Sequence, residues 1–163
     1  MFRLSKITDY GILVLSHLAR GPHAATHNAR EIANAVELPL PIVSKVLKVL
    51  ARTGVLESRR GSKGGFALTR RPEQLYVTEM IEALDGPVAL TECSGNLSLC
   101  QHEGSCAVRA PLQVINSAVE NTLATITLAD LISPAFPATV SLLGRTDTRT
   151  LPMYEEPRRA GVK

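Results

Sequence analysis

Apolar residues recur along the chain at two spacings, and the change from one to the other marks its elements. Ile7, Tyr10, Val14, Leu15 and Leu18 follow the three-and-four step of a single helix face. Ser5 stands where a cap is needed and Gly21-Pro22 stops the run, which predicts a first helix over about 6–20. Asn28 with Glu31 forms a capping-box pattern, and Ile32, Ala33 and Val36 give a short second helix over about 29–36. After the turn Leu38-Pro39-Leu40-Pro41, Pro41 suits the first position of a third helix; Val43, Val46, Leu47 and Leu50 face inward and Gly54 ends it. Val55 to Arg59 and Gly65 to Leu68 then read as two short strands, joined through Arg60-Gly61-Ser62-Lys63-Gly64-Gly65.

Thr78 is positioned to cap a short helix containing Met80, Ile81 and Leu84, closed by Gly86-Pro87. From Val88 to Ser105 no period is sustained, so this stretch is a loop ordered by something other than its own packing. Leu112, Ile115, Val119, Leu123 and Ile126 restart the helical step from about Val108. Pro111 limits how early regular helix begins, because its missing N–H is tolerated only in a first turn. That helix is longer than so small a core requires, and a stripe such as this one, over residues 108–131, usually finds a partner helix. Thr127 with Asp130 begins a terminal turn through Leu131. Prolines 134, 137, 152 and 157 among small and charged residues argue against packed structure in 133–163.

The fold class is therefore mainly α with a small β-wing. A winged helix-turn-helix domain (1–87) is followed by a cysteine loop (88–106), a dimerisation helix with its terminal turn (107–132) and a tail (133–163). Charge sharpens this reading. The net charge is only +3, but residues 42–71 hold eight basic side chains against Glu57 alone; that segment carries +7 and the remainder −4. On the third helix Ser44, Lys48 and Arg52 recur every four residues with Lys45 beside them, so one flank is polar and basic while the other is buried. Arg59, Arg60, Ser62 and Lys63 put further donors on the hairpin. A basic-flanked helix followed by a basic hairpin is the footprint of a surface that meets double-stranded DNA.

Three cysteines fall within 14 residues as Cys93-x6-Cys100-x5-Cys106, with His102 in the same loop. An odd, clustered count suggests metal or redox chemistry more than a disulfide frame. The spacing lacks the paired knuckles of a zinc ribbon. Three soft thiolates suit an iron-sulfur cluster, 2Fe-2S or 4Fe-4S, which brings its own sulfides and needs only terminal ligands; zinc, or free redox thiols, remain open on spacing alone. The glycine-rich run lacks the GxxxxGK[ST] pattern and joins two strands, so it is no phosphate-binding loop. No nucleophile–base pair, paired carboxylates or cofactor fingerprint points to an enzyme or a small-molecule substrate. No apolar run spans a membrane and the start is no signal peptide, which leads to a cytoplasmic expectation. An iron-sulfur scaffold or carrier is a further alternative, against which the basic helix and wing count.

Several motifs in order carry a resemblance. Leu4-Ser5-Lys6-Ile7-Thr8-Asp9-Tyr10-Gly11, the wing Arg59-Arg60-Gly61-Ser62-Lys63-Gly64-Gly65-Phe66, the segment Ile81-Glu82-Ala83-Leu84-Asp85-Gly86-Pro87 and the cysteine loop together resemble the IscR/NsrR-type family of iron-sulfur transcription regulators, over about residues 1–132. Leu90-Thr91-Glu92-Cys93 and Thr127-Leu128-Ala129-Asp130-Leu131 look most like the branch that regulates the SUF iron-sulfur assembly system. The resemblance implies a homodimer crossed by the long helix, DNA contacts from the third helix and wing, and cluster state altering promoter affinity. Some members place a glutamate at the position of Ser44, where it discriminates between DNA sites. Relatives with a 2Fe-2S cluster place a histidine three residues after the last cysteine, and this chain has Arg109 there. Others use an aspartate near the start of the first helix, which implies Asp9 of the partner subunit as fourth ligand, with His102 as the alternative.

Overall fold

The computed structural model describes residues 4–22, 25–61, 64–91 and 106–134. α1 (Lys6–Ala19) opens on Ser5, whose hydroxyl accepts from the Thr8 N–H. α2 (Ala29–Ala35) carries the reciprocal cap: the Asn28 amide oxygen accepts from Arg30 and Glu31, and the Glu31 carboxylate accepts from the Asn28 N–H. Glu37, at φ 54°, takes a left-handed conformation that reverses the chain between α2 and α3 (Leu40–Arg52). α3 starts one residue before Pro41. The Pro39 carbonyl accepts from Ile42 and Val43, and Pro41 gives up an N–H that has no partner in a first turn.

β1 (Leu56–Arg59) and β2 (Gly65–Leu68) pair antiparallel, with Leu56 opposite Leu68 and Arg59 opposite Gly65. The stretch before α2 adds a further rung, because His27 exchanges two backbone hydrogen bonds with Phe66, of 3.0 and 2.8 Å. A 3-10 turn (Pro72–Gln74) leads to α4 (Val77–Asp85), and α5 (Arg109–Leu123) and α6 (Leu128–Ile132) follow. One apolar cluster joins Val14, Leu15 and Leu18 of α1, Ile32 of α2, Val43, Val46, Leu47 and Leu50 of α3, Met80 of α4 and Leu128 of α6. Each such side chain contributes roughly 1.5–3 kcal/mol on leaving water. Gly11 lets α4 approach α1 closely, since a Cβ there would stand 2.3 Å from a methyl of Leu84.

Three expectations change. Thr78 lies inside the first turn of α4 rather than capping it: the Val77 N–H donates to the Ile126 carbonyl, and the Glu79 carboxylate accepts from the Tyr76 N–H. Ile126 falls beyond the end of α5, in the turn that pairs Tyr76 with Thr127. The stripe of α5 is also split. Val119 and Leu123 pack on the chain's own core, whereas Val108, Val114 and Ile115 are exposed. The terminal turn, α6, is capped by Thr127 and Asp130 as the pattern predicts, and it packs on α1 through Leu128 instead of extending the long helix.

Candidate nucleic-acid interface and cysteine segment

The amphipathic pattern of α3 buries Val43, Val46, Leu47 and Leu50 and turns the opposite face outward. On that face Ser44, Lys45, Lys48 and Arg52, with Pro41 and Val49, line an open concavity of about 470 Å³. Lys45, Lys48 and Arg52 are exposed, and none is ion-paired among the described residues. Like charges one helical turn apart repel by a few tenths of a kcal/mol, a cost that an anion laid along the face removes.

The wing stands beside this helix. Its two arginines differ: the Arg59 guanidinium pairs with the Glu57 carboxylate and donates to the Thr26 hydroxyl (3.4 Å), whereas Arg60 is exposed with no ion pair among the described residues. Arg70, also within the basic segment, is held by Glu79 (3.0 Å) and by the Gln74 carbonyl (3.3 Å), so it braces the approach to α4. The count of +7 therefore overstates the free positive charge. Ser62 and Lys63 lie outside the described residues. At the wing's base the His17 and His27 rings meet edge to face, 5.9 Å apart. Burial, with the nearby His27 and Arg20, lowers the His17 pKa and favours its neutral ring.

Of the predicted cluster ligands, Cys93, Cys100 and His102 also lie outside the described residues. Cys106 is a free, half-buried thiol at the foot of α5, where its carbonyl accepts from the Arg109 N–H. Asp9 is exposed in the first turn of α1. No three His, Cys, Asp or Glu side chains come together among the described residues.

Two polar residues that hydropathy could not single out join these parts. Asp85, at the end of α4, accepts from the Ser5 N–H at 3.0 Å, tying the start of α1 to the mouth of the cysteine segment. Burial raises its carboxyl, but hydrogen bonds from the Ser5 and Thr8 side chains and the Ser5 backbone outweigh that and hold its pKa below the ordinary 3.8. Asn116, buried on α5, accepts from the Leu90 N–H (2.8 Å) and donates to the Val88 carbonyl (3.4 Å). Only its position in an otherwise apolar stripe hinted at it, and the polarity of that position has meaning only with Val88 and Leu90 in place.

Residues 4–134 match the model of the Rrf2 family, described as an iron-dependent transcriptional regulator. The chain belongs to the Rrf2 family. This Rrf2 protein is 33% identical over 146 residues to the transcriptional repressor NsrR of Streptomyces coelicolor, covering 89% of this chain and 97% of that protein. It is 29% identical over 134 residues to the regulator NsrR of Bacillus subtilis, covering 80% and 90%. Among solved structures it resembles CymR (YrzC), the global cysteine regulator of B. subtilis, at 26% identity and a TM-score of 0.64, covering 81% of this chain and 97% of that one. T. potens IscR superposes with a TM-score of 0.60 at 25% identity, covering 85% and 91%. The Rrf2 chain is thus a winged-helix transcription regulator and not an enzyme. No helix among its described residues is long and apolar enough to cross a membrane.

Proposed function

We infer that this Rrf2 protein is a cytoplasmic homodimeric repressor whose grip on promoter DNA responds to an iron-sulfur cluster. The observation that carries the reading is the unpaired cationic face of α3 beside an antiparallel wing. A helix of this kind lies in the major groove, where Ser44, Lys45 and Lys48 reach base edges while Arg52 meets phosphate. Arg59, Arg60, Ser62 and Lys63 serve the minor groove and its flanking phosphates. In Arg59 this requires exchanging Glu57 for phosphate. Base contacts select the site and phosphate contacts supply affinity.

The donor set fits a cluster. Cys93, Cys100 and Cys106 offer soft thiolates, Cys106 being unbridged and half-buried; Asp9 of the partner subunit offers a carboxylate from an exposed helix turn, with His102 the alternative. When bound, a cluster supplies a group whose loss responds to oxidants or iron supply. The chain's own part is to convert the state of segment 88–106 into the relative placement of two α3 helices. The likeness of Leu90 to Cys93 and of Thr127 to Leu131 to the SUF-regulating branch supports iron-sulfur assembly genes as targets. The similarity to CymR favours a second reading, in which the same cysteines act as redox thiols without a metal.

Anaerobic purification with an optical spectrum and iron, sulfide and zinc assays, followed by gel shifts on the gene's own upstream region, separates these readings. Visible absorbance with stoichiometric iron, lost in the triple Cys93, Cys100, Cys106→Ala variant together with a change in promoter affinity, is the expected result. A colourless protein whose DNA binding follows thiol oxidation supports the second reading; a colourless zinc protein refutes cluster sensing. Absence of specific binding to any DNA, with or without metal, refutes both.

A further inference from the structure

The side chain of Asn116 is only 4% exposed, and it sits on the face of α5 where its neighbours one turn away, Leu112 and Val119, are apolar. A buried amide without partners is strongly disfavoured, so its partners explain its presence. They are two backbone groups of one short stretch: the Leu90 N–H donates to Oδ1 at 2.8 Å, and Nδ2 donates to the Val88 carbonyl at 3.4 Å. Because an N–H can only donate, the Leu90 bond fixes which amide atom is oxygen. A carbonyl and the N–H two residues later are the pair that a neighbouring parallel strand engages. The amide of Asn116 thus takes the place of one residue of such a strand. Aspartate lacks the donor, serine lacks the second atom, and alanine lacks both.

This stretch lies between Gly86-Pro87 and the first cysteine, and Val88 is itself buried in the core. On the other side of the cysteines, Cys106 leads directly into α5. The segment is therefore anchored to α5 at both ends, covalently through Cys106 and by the amide clamp through Val88 and Leu90. We propose that Asn116 is a positioning residue: through Val88 and Leu90 it fixes against α5 the point from which the cysteine segment departs, and losing that anchor weakens retention of a metal group by the segment's thiols. This rests on the iron-sulfur reading above for its consequence, but the clamp itself is testable without iron.

The test uses the full chain and its Asn116→Ala and Asn116→Leu variants, both of which remove the acceptor of the Leu90 N–H. In the metal-free protein, amide hydrogen exchange at Leu90 is expected to quicken about tenfold in both variants at pH 7, the size of a single hydrogen bond, while core amides of α1 and α3 keep their protection. In anaerobically reconstituted protein, the visible absorbance of both variants is expected to start at the wild-type iron content and decay several-fold faster under a chelator. Unchanged exchange at Leu90 overturns the clamp. Faster exchange with an unchanged decay overturns the positioning role. If either variant loses core protection, the other decides. A wild-type chain that takes up no iron removes the iron-sulfur reading; the clamp is then judged on Leu90 exchange and on the alkylation rate of the three thiols, which must rise in both variants for positioning to stand.

Discussion

Gly65 carries a hydrogen where any other residue would put a carbon 2.3 Å from the His27 carbonyl oxygen. That close approach lets the stretch before α2 pair with the wing, so Gly65→Ala is expected to destabilise the fold by about 2 kcal/mol, read as a lowered Tm, and to loosen the wing. Asp85 makes an electrostatic point at the same scale. Its folded pKa lies below 3.8, so the stability it contributes is complete above that value and disappears as pH falls through the folded pKa. Asp85→Asn should therefore lower Tm at pH 7, and the gap to wild type should close in acid. Neither residue announces its partner in the sequence: Ser5 and Asp85 are 80 positions apart.

At the level of elements, the proposed complex with DNA divides the work of binding between α3 and the wing. Lys45→Ala with Lys48→Ala should relax the preference for the cognate promoter, whereas Arg52→Ala should weaken binding to any sequence and reduce the salt slope by about 0.9 for each phosphate that is no longer neutralised, as measured by titration at several ionic strengths. Arg59→Ala with Arg60→Ala should do the same; an unchanged slope rules out phosphate binding by the wing. Glu57→Ala frees Arg59 and is expected to raise affinity for any sequence, not the operator alone. The helical periods were legible from the chain because each helix buries one face, and the caps at Ser5, Asn28 and Thr127 were legible because they are local. The start of α4 was not, because its Val77 N–H is satisfied by Ile126, which lies far along the chain. His17 belongs at this scale too. Its folded pKa is below 6.5, so the α1–wing base is fully stable above that value and weakens as pH falls through the folded pKa, a dependence that His17→Gln should flatten in Tm measured from pH 7.5 down to about 5.5.

For the whole molecule, the outward side of α5 is decisive. Val114 is 64% exposed and Ile115 52% exposed on a helix whose opposite side already meets the core. A second copy of the chain covers such a face most simply, and Ile115→Glu is expected to shift sedimentation from dimer to monomer with α1–α4 intact by circular dichroism. The same variant should bind a single half-site and lose cooperative binding to a full site. In the proposed dimer two α5 helices set the register in which both α3 helices meet DNA, and the same face would link the cysteine segment to the operator.

Periodicity, caps, a run of basic residues and the spacing of three cysteines are written in one dimension, because each depends on neighbours within about a turn of helix or a hairpin. They determined the winged helix, the basic flank and the presence of a thiol segment. Which arginines are free, which half of the α5 stripe is inward, and that α6 closes on α1 depended on residues distant in sequence becoming neighbours. Glu57 and Glu79 took two of the cations, and Leu128 met the core. Asn116 is the clearest case: in the sequence it interrupts an apolar stripe, and only the packed chain supplies the carbonyl and N–H that make burying an amide favourable.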